Sequence, residues 1–284
     1  MHAVPTPLSP AEAHVVVVGA GGIGCPAGWA LAEAGIGRLT ILDGDVVEPS
    51  NLPRQVLYGP ADVGRPKAEV AAERLRVHGS DVLGRAERLD DTTADLVLAD
   101  ADLVIDATDG ARAKDWVNAL AVRKGVPLIH AAGLRSEGRI LDVPRGGRPC
   151  LACLFGRLEE EPGSCADLGV WGGVVGAVGF LAAAQAIARL AHPTAPSRGY
   201  AVLDLDGGRG VTLGAEASPG CPVCAGEARR EAEAYPTDAA VCTPAAGEGD
   251  AETAVRDRLG VACPRNRLRA RQALEARASG ETRV

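Results

Sequence analysis

Apolar positions in this chain fall into short runs set between longer stretches of helical period. Residues 14–18 (HVVVV) form a β-branched run of strand length, too short for a helix. Residues 23–34 read as the helix that follows, and residues 38–42 (RLTIL) as the next strand. The pattern continues with a helix over 65–78, a strand over 82–89, a strand over 102–108 (DLVIDAT), a helix over 111–124 and a strand over 126–132. Strands alternating with helices predict βαβ units and a parallel sheet. The alternation stops at 138–143, a strand with no helix before it. A helix over 171–191 follows, carrying Gly172, Gly173, Gly176 and Gly179, and then a hairpin over 200–213 turning at Gly207 and Gly208. Each of those helical glycines costs propensity, so close backbone packing in the core or at a dimer interface is expected to compensate. The expected fold class is α/β: a Rossmann-like, mostly parallel sheet extended by antiparallel strands.

The first strand–helix junction carries chemistry. Gly19, Gly21 and Gly24 give the G-x-G-x-x-G spacing, with Gly22 between them. Missing side chains permit a tight turn, close backbone approach to a phosphate and close helix–strand packing. The helix N-terminus that follows favours an anion. Asp43 ends the second strand about 20 residues later, where an acid holds ribose hydroxyls. The next residues, DGDVVEPSNLPRQ, add Asp45, Asn51, Arg54 and Gln55. A nicotinamide enzyme has no use for that cluster, whereas a permanently charged guanidinium and two amides suit a polyphosphate. Pro66 is placed to open the next helix, which puts Lys67 in its first turn, against the macrodipole. A bound anion would remove that conflict; taken alone, Lys67 would be a solvated surface lysine. Asp106, Thr108 and Asp109 end the strand over 102–108, where ligands of open α/β sheets gather. Asp109 offers the hard oxygen that Mg²⁺ prefers, or a helix N-cap.

GAGGIGCP, DGDVVEPSNLPRQ, DVGRPKA and IDATDG, in this order, resemble the ThiF/MoeB/HesA family, bacterial relatives of ubiquitin-activating enzymes. The resemblance runs from about residue 13 to residue 226 and implies ATP-dependent adenylation of the C-terminal carboxylate of a small ubiquitin-like sulfur-carrier protein, releasing pyrophosphate ahead of thiocarboxylate formation. It further implies nucleotide contacts at Gly19, Gly21, Gly22, Gly24, Asp43 and Asp45, phosphate contacts at Asn51, Arg54, Gln55 and Lys67, and Mg²⁺ at Asp109. A homodimer, a carrier-protein partner and a sulfur-donor protein are implied with it. Two departures stand out. Family members carry an arginine in a longer N-terminal segment, and none precedes Arg38 here; Gly110 replaces the family's Asn.

Composition narrows the setting. The 284 residues allow one or two domains with a sizeable core, built mainly of Ala, Val, Leu and Ile because aromatics are only 3%. A formal charge of −7 argues against nucleic acid as a partner. No charged, apolar leader opens the chain, and the apolar stretch 170–190 is broken by glycines and carries Gln185 and Arg189, so a cytoplasmic protein with no membrane span is expected. The expected organisation is a mobile lead-in (1–12), an adenylation domain (13–226, its nucleotide-binding part reaching about 135), and an Ala/Arg/Glu-rich tail (227–284), partly disordered or helical, with a last helix over 266–278.

Eight cysteines in such a protein point to metal or thiol chemistry. Cys150 and Cys153 form one C-x-x-C knuckle, Cys221 and Cys224 another. A lone C-x-x-C reads as a redox motif; two read as a closed, structural Zn²⁺ site of four thiolates. Cys165, in the polar loop 156–167, matches the cysteine that some family members use in sulfur transfer or covalent attachment, its alternative being an ordinary loop thiol. Cys242 and Cys263 lack metal-ligand spacing. Beside the adenylating enzyme stand two other readings. A catalytically inactive binding scaffold is one, and a nucleotide-dependent oxidoreductase, resting on the glycine turn alone, is the other.

Overall fold

The computed structural model describes residues 6–158 and 169–225. Eight strands make one sheet: β1 (His14–Val18), β2 (Arg38–Leu42), β3 (Asp81–Arg85), β4 (Leu103–Asp106), β5 (Leu128–Leu134), β6 (Glu137–Val143), β7 (Tyr200–Asp204) and β8 (Arg209–Leu213), in the order β3-β2-β1-β4-β5-β6-β7-β8. The strands from β3 to β5 pair parallel, and β6 to β8 add antiparallel. The expected Rossmann-like sheet with an antiparallel extension is what forms. Its strand order reverses between β1 and β4, the place where open α/β sheets leave a crevice.

Period-two alternation in β1 divides the core. Val15 and Val17 face a layer built from α1 (Gly24–Glu33), α2 (Lys67–Leu75) and the long helix Gly172–Ala191, here named α6. Val16 and Val18 face the layer of α3 (Asp91–Val97), α4 (Ala111–Lys124) and α5 (Leu151–Phe155). Both faces of β1 are therefore covered, which is why its sequence reads as an unbroken apolar run.

Several boundaries differ from the sequence expectation for identifiable reasons. The helix expected over 65–78 begins at Lys67, because Pro66 is held extended (ψ 128°) by a bridge to Val46 and serves as the N-cap. It tightens into a 3₁₀ turn, Arg76–His78, and stops at Gly79 in the left-handed region. β3 ends at Arg85, and α3 was not anticipated; its signal is Asp90, which accepts from Thr93 N at 2.7 Å as a side-chain N-cap. β5 starts two residues late and runs on to Leu134, following its pairing with β6. Residues 6–12, expected as part of a mobile lead-in, pack onto the sheet's edge of helices: Leu8 N donates to Leu190 O at 3.1 Å and Gly37 N to Pro10 O at 2.9 Å. The loop with Cys165 and the tail with Cys242 and Cys263 lie outside the described residues.

By length and composition α6 could cross a bilayer, yet here it lies on the sheet with half of its most apolar stretch buried. Gly179 lets it touch α1, since a Cβ there would sit 2.4 Å from Ile23 O. Gly173 and Gly176 face open space instead, so only part of the glycine pattern is explained by packing within the chain. At its C-terminal end Arg189, fully buried, grips Asp142 of β6 with both arms, Nε to Oδ1 at 3.0 Å and Nη2 to Oδ2 at 2.6 Å. Its remaining donors bind Ala195 O and Pro196 O on the path to β7. Removing one partner of a buried, hydrogen-bonded ion pair strands the other charge. Arg189→Ala should therefore cost about 3–5 kcal/mol in denaturant unfolding; a loss under about 1 kcal/mol would show that water reaches Asp142 freely.

Candidate nucleotide site and cysteine cluster

The glycine turn after β1 is built by close backbone contacts. A Cβ on Gly24 would lie 1.8 Å from Gly19 O, so α1 can begin where it does only without one. Gly19, at φ +96°, presses on the loop after β4, with Ala107 O 2.7 Å from the place of its missing Cβ. Gly22 leaves room for Arg54 O and Val175 of α6. The turn, the segment 51–55, the start of α6 and the loop after β4 thus converge on one spot at the C-terminal ends of the parallel strands.

Asp43 sits at the tip of β2, its carboxylate held by two backbone donors, Ala20 N at 2.7 Å and Asp45 N at 2.8 Å. Burial raises its pKa, and those two N–H groups and the Lys67 charge oppose the rise. Each oxygen keeps a lone pair for a ligand hydroxyl. Lys67 is buried in the first turn of α2, its Nζ 3.3 Å from Asp45 Oδ2, so an internal carboxylate takes the role of the anion that its helix position demands. Arg88 binds the other oxygen of Asp45 at 3.1 Å. Tyr58, not anticipated from sequence, ties the parts together by donating to Ala20 O at 2.8 Å and contacting Lys67 O at 3.2 Å. Upstream, buried Asp62 is clamped by Arg65 and Arg74 and fixes the approach to α2.

Residues 51–55 divide into holders and free groups. Asn51 is buried and accepts from Glu48 N at 3.3 Å, closing its own turn. Arg54 folds back to donate to Ser50 O at 2.9 Å. Gln55 is buried over the glycine turn, its Nε2 3.7 Å from the place of a Cβ on Gly21, and its Oε1 has no hydrogen-bond partner among the described residues. A buried amide oxygen left so points to a bound group or water.

After β4 the acids separate. Asp106 is fully buried and accepts from Thr108 N (3.0 Å), Thr108 Oγ1 (2.6 Å) and His130 Nδ1 (2.7 Å). Burial alone would raise its pKa, but the Lys114 charge and these hydrogen bonds bring it to about 2. His130 is pushed down by the same burial, so its imidazole is neutral and donates. Asp106 is thus a fixed structural anion. Asp109 is the exposed acid, one residue beyond the pinned Thr108, and Gly110 instead of Asp109 occupies the N-cap of α4.

The four knuckle cysteines meet, although 71 residues separate Cys150 from Cys221. Their sulfurs all lie within 4.8 Å of one another, with separations of 3.9, 3.6 and 3.3 Å for Cys150–Cys153, Cys150–Cys221 and Cys153–Cys224. A tetrahedral ion with bonds of about 2.3 Å needs sulfurs about 3.8 Å apart. The donor set of four sulfurs fits zinc. Without a cation the thiols compete for charge: the hydrogen bond between them pulls Cys153 down and pushes Cys150 up, and burial pushes Cys224 up. A divalent ion would stabilise all four thiolates. Among the described residues no other group of three or more His, Cys, Asp or Glu side chains is close enough to hold an ion.

Cys221→Ser should therefore abolish stoichiometric zinc in elemental analysis and lower Tm by roughly 5–10 °C. Purified parent protein free of zinc would remove the metal from this account.

Known proteins fit this geometry. The ThiF family profile matches residues 10–223. The molybdopterin-synthase adenylyltransferase of Salmonella typhimurium is 38% identical over 217 residues, spanning 75% of this chain and 87% of that protein. The sulfur carrier protein ThiS adenylyltransferase of Escherichia coli is 34% identical over 218 residues (76% and 87%), and the SAMP-activating enzyme E1 of Haloferax volcanii is 38% identical over 222 residues (75% and 80%). Among solved structures, E. coli MccB with MccA-N7isoASN superposes with a TM-score of 0.67 at 26% identity, covering 77% of this chain and 68% of that one. MccB with ATP gives 0.65 at 27% identity, covering 76% and 68%. With its glycine turn, its extended sheet and its sequence all matched, this chain belongs to the ThiF family.

Proposed function

We propose that this protein is an ATP-dependent adenylyltransferase acting on the C-terminal carboxylate of a small ubiquitin-like sulfur-carrier protein. The observation that carries the reading is the convergence of Asp43, Lys67 and buried Gln55 around the glycine turn, with exposed Asp109 two residues beyond the Ala107 that rests against that turn, in a chain whose relatives are adenylyltransferases. The carrier's carboxylate attacks the α-phosphorus of ATP, the α–β phosphoanhydride bond breaks, and pyrophosphate leaves with the electron pair. An acyl-adenylate remains. The nucleophile is already ionised, so no general base is needed, and the protein's task is alignment and charge neutralisation.

The backbone of Gly19, Gly21, Gly22 and Gly24 would follow the phosphates, and Asp43 would hold the ribose. Lys67 exchanges Asp45 for phosphate oxygens, while Asn51 keeps the turn in which Arg54 and Gln55 face them. Asp109 would hold Mg²⁺, which would supply positive charge towards the leaving pyrophosphate; one or two carboxylates are the usual protein share of such a site. Zn²⁺ would be structural. A cytoplasmic homodimer belongs to the same proposal, and the open Gly173 and Gly176 on α6, near the exposed Phe180 and Trp29, support a partner on that face. A sulfur-donor protein and Cys165 would act after adenylation.

Carrier-dependent ATP–pyrophosphate exchange tests the reading directly. Asp109→Ala should abolish it with the fold intact. Lys67→Ala should slow it at least about tenfold, since one charge-assisted phosphate contact is worth roughly 2–4 kcal/mol in the transition state. Exchange unchanged in both variants would mean that the active site lies elsewhere.

Cys165→Ser should leave exchange intact but stop thiocarboxylate formation from a protein sulfur donor. An unchanged thiocarboxylate yield would make the protein an adenylyltransferase alone.

A further inference from the structure

Lys114 is a buried cation that the proposed chemistry leaves without a task. It lies in the first turns of α4, where the helix macrodipole disfavours a positive charge, and its side chain is only 9% exposed. Burying an ammonium is costly unless its protons are bound. Here Nζ donates to Thr108 O and, at 3.2 Å, to Ala131 O, so it bridges the loop after β4 to β5. Its charge also faces Asp106, whose carboxylate holds the other side of Thr108 through N and Oγ1. Thr108 is thus fixed at its N–H, its hydroxyl and its carbonyl by two buried, opposite charges. The next residue is Asp109. On the far side, Ala107 N donates to Val18 O at 2.8 Å and Ala107 O rests against Gly19, which ties the same loop to the glycine turn.

We infer that Lys114 is a positioning residue, which acts through the carbonyl of Thr108 to hold the Asp109 carboxylate where a nucleotide-bound divalent cation is captured. The inference rests on the reading of Asp109 as the Mg²⁺ ligand. Lys114 touches neither metal nor nucleotide in this role. A lysine serves better than an arginine because one compact ammonium meets two carbonyls that converge from the loop after β4 and from β5. The arrangement explains why a cation is kept at an unfavourable helix position: a neutral side chain would leave Thr108 O and Ala131 O unbound and Asp106 without its balancing charge.

The test compares parent protein, Lys114→Met and Lys114→Arg, all with zinc present, for ATP affinity by calorimetry in Mg²⁺-free buffer without chelator and in saturating Mg²⁺, and for the Mg²⁺ dependence of exchange. Lys114→Met should keep its metal-free ATP affinity within about twofold, lose most of the Mg²⁺-dependent gain in affinity, and need at least tenfold more Mg²⁺ for half-maximal exchange. Lys114→Arg should recover part of that gain. The proposal is overturned by a Lys114→Met protein with the parent's full Mg²⁺ response, by one whose metal-free ATP affinity falls as far as its metal-bound affinity, or by a parent whose ATP affinity ignores Mg²⁺. Should Lys114→Met not fold, Thr108→Val, which removes only the hydroxyl bond to Asp106, must show the same selective loss; a normal Mg²⁺ response there overturns the proposal. A parent that binds Mg-ATP in a Lys114-dependent way yet shows no exchange with any carrier would sink the adenylation reading and leave this role of Lys114 standing.

Discussion

Gly24 has its backbone so close to Gly19 O that a single methyl group would stand 1.8 Å from it. That contact bends the chain from β1 into α1 within a few residues, and the rest of the site is arranged around the bend. Because Gly19 also carries no side chain, the loop after β4 closes over the turn; because Gly22 carries none, the segment 51–55 and α6 close from the other side. Backbone approaches of this kind relax poorly, since no flexible side chain can give way. Three sequence-distant segments meet at one point as a result, and their polar groups need little further ordering to face a common ligand.

Electrostatics within that frame follow one rule: cations are parked on internal acids. Lys67 rests on Asp45, Arg88 shares the same carboxylate, and Lys114 balances Asp106. The pairs differ in burial and therefore in what they can do. Asp45 is half exposed, so its hold on Lys67 is screened and easily broken. Asp106 is fully enclosed and bound by three hydrogen bonds, and it stays. One acid is a temporary counter-ion and the other a permanent one. The sheet's antiparallel half repeats the permanent kind at Arg189 and Asp142, away from the crevice.

Much of this was legible in the sequence, and the limits are physical. The glycine spacing, Asp43 at the end of β2 and the double C-x-x-C are local patterns with few solutions, and the structure places each as the spacing predicts. Lys67 stood out because its motif placed a cation at a helix start. Lys114 did not, since a lysine four residues into a helix looks like any solvated one, and only the meeting of β4 and β5 buries it. Asp106 and Asp109 looked equivalent at a strand end; which of them points inward depends on His130, distant in sequence. The short α3 escaped notice because its seven residues carry too little periodicity, although Asp90 marked its start. Among the described residues nothing packs against the two open glycines of α6.

The cysteine cluster has a consequence for the order of assembly. The five parallel strands are complete by Leu134, whereas Cys153, within α5, and Cys221 bracket α6, β7 and β8. Closing a loop of that length by a cross-link removes about 4 kcal/mol of chain entropy on the polymer estimate. A growing chain can therefore complete its parallel half before either knuckle is made, with one crossover that sets β4 beside β1. The half with α6, β7 and β8 comes later in the chain, and the second knuckle follows it. A chain in which β7 has not yet added would have its unfinished sheet edge at β6, a ready template for a neighbouring chain's strand.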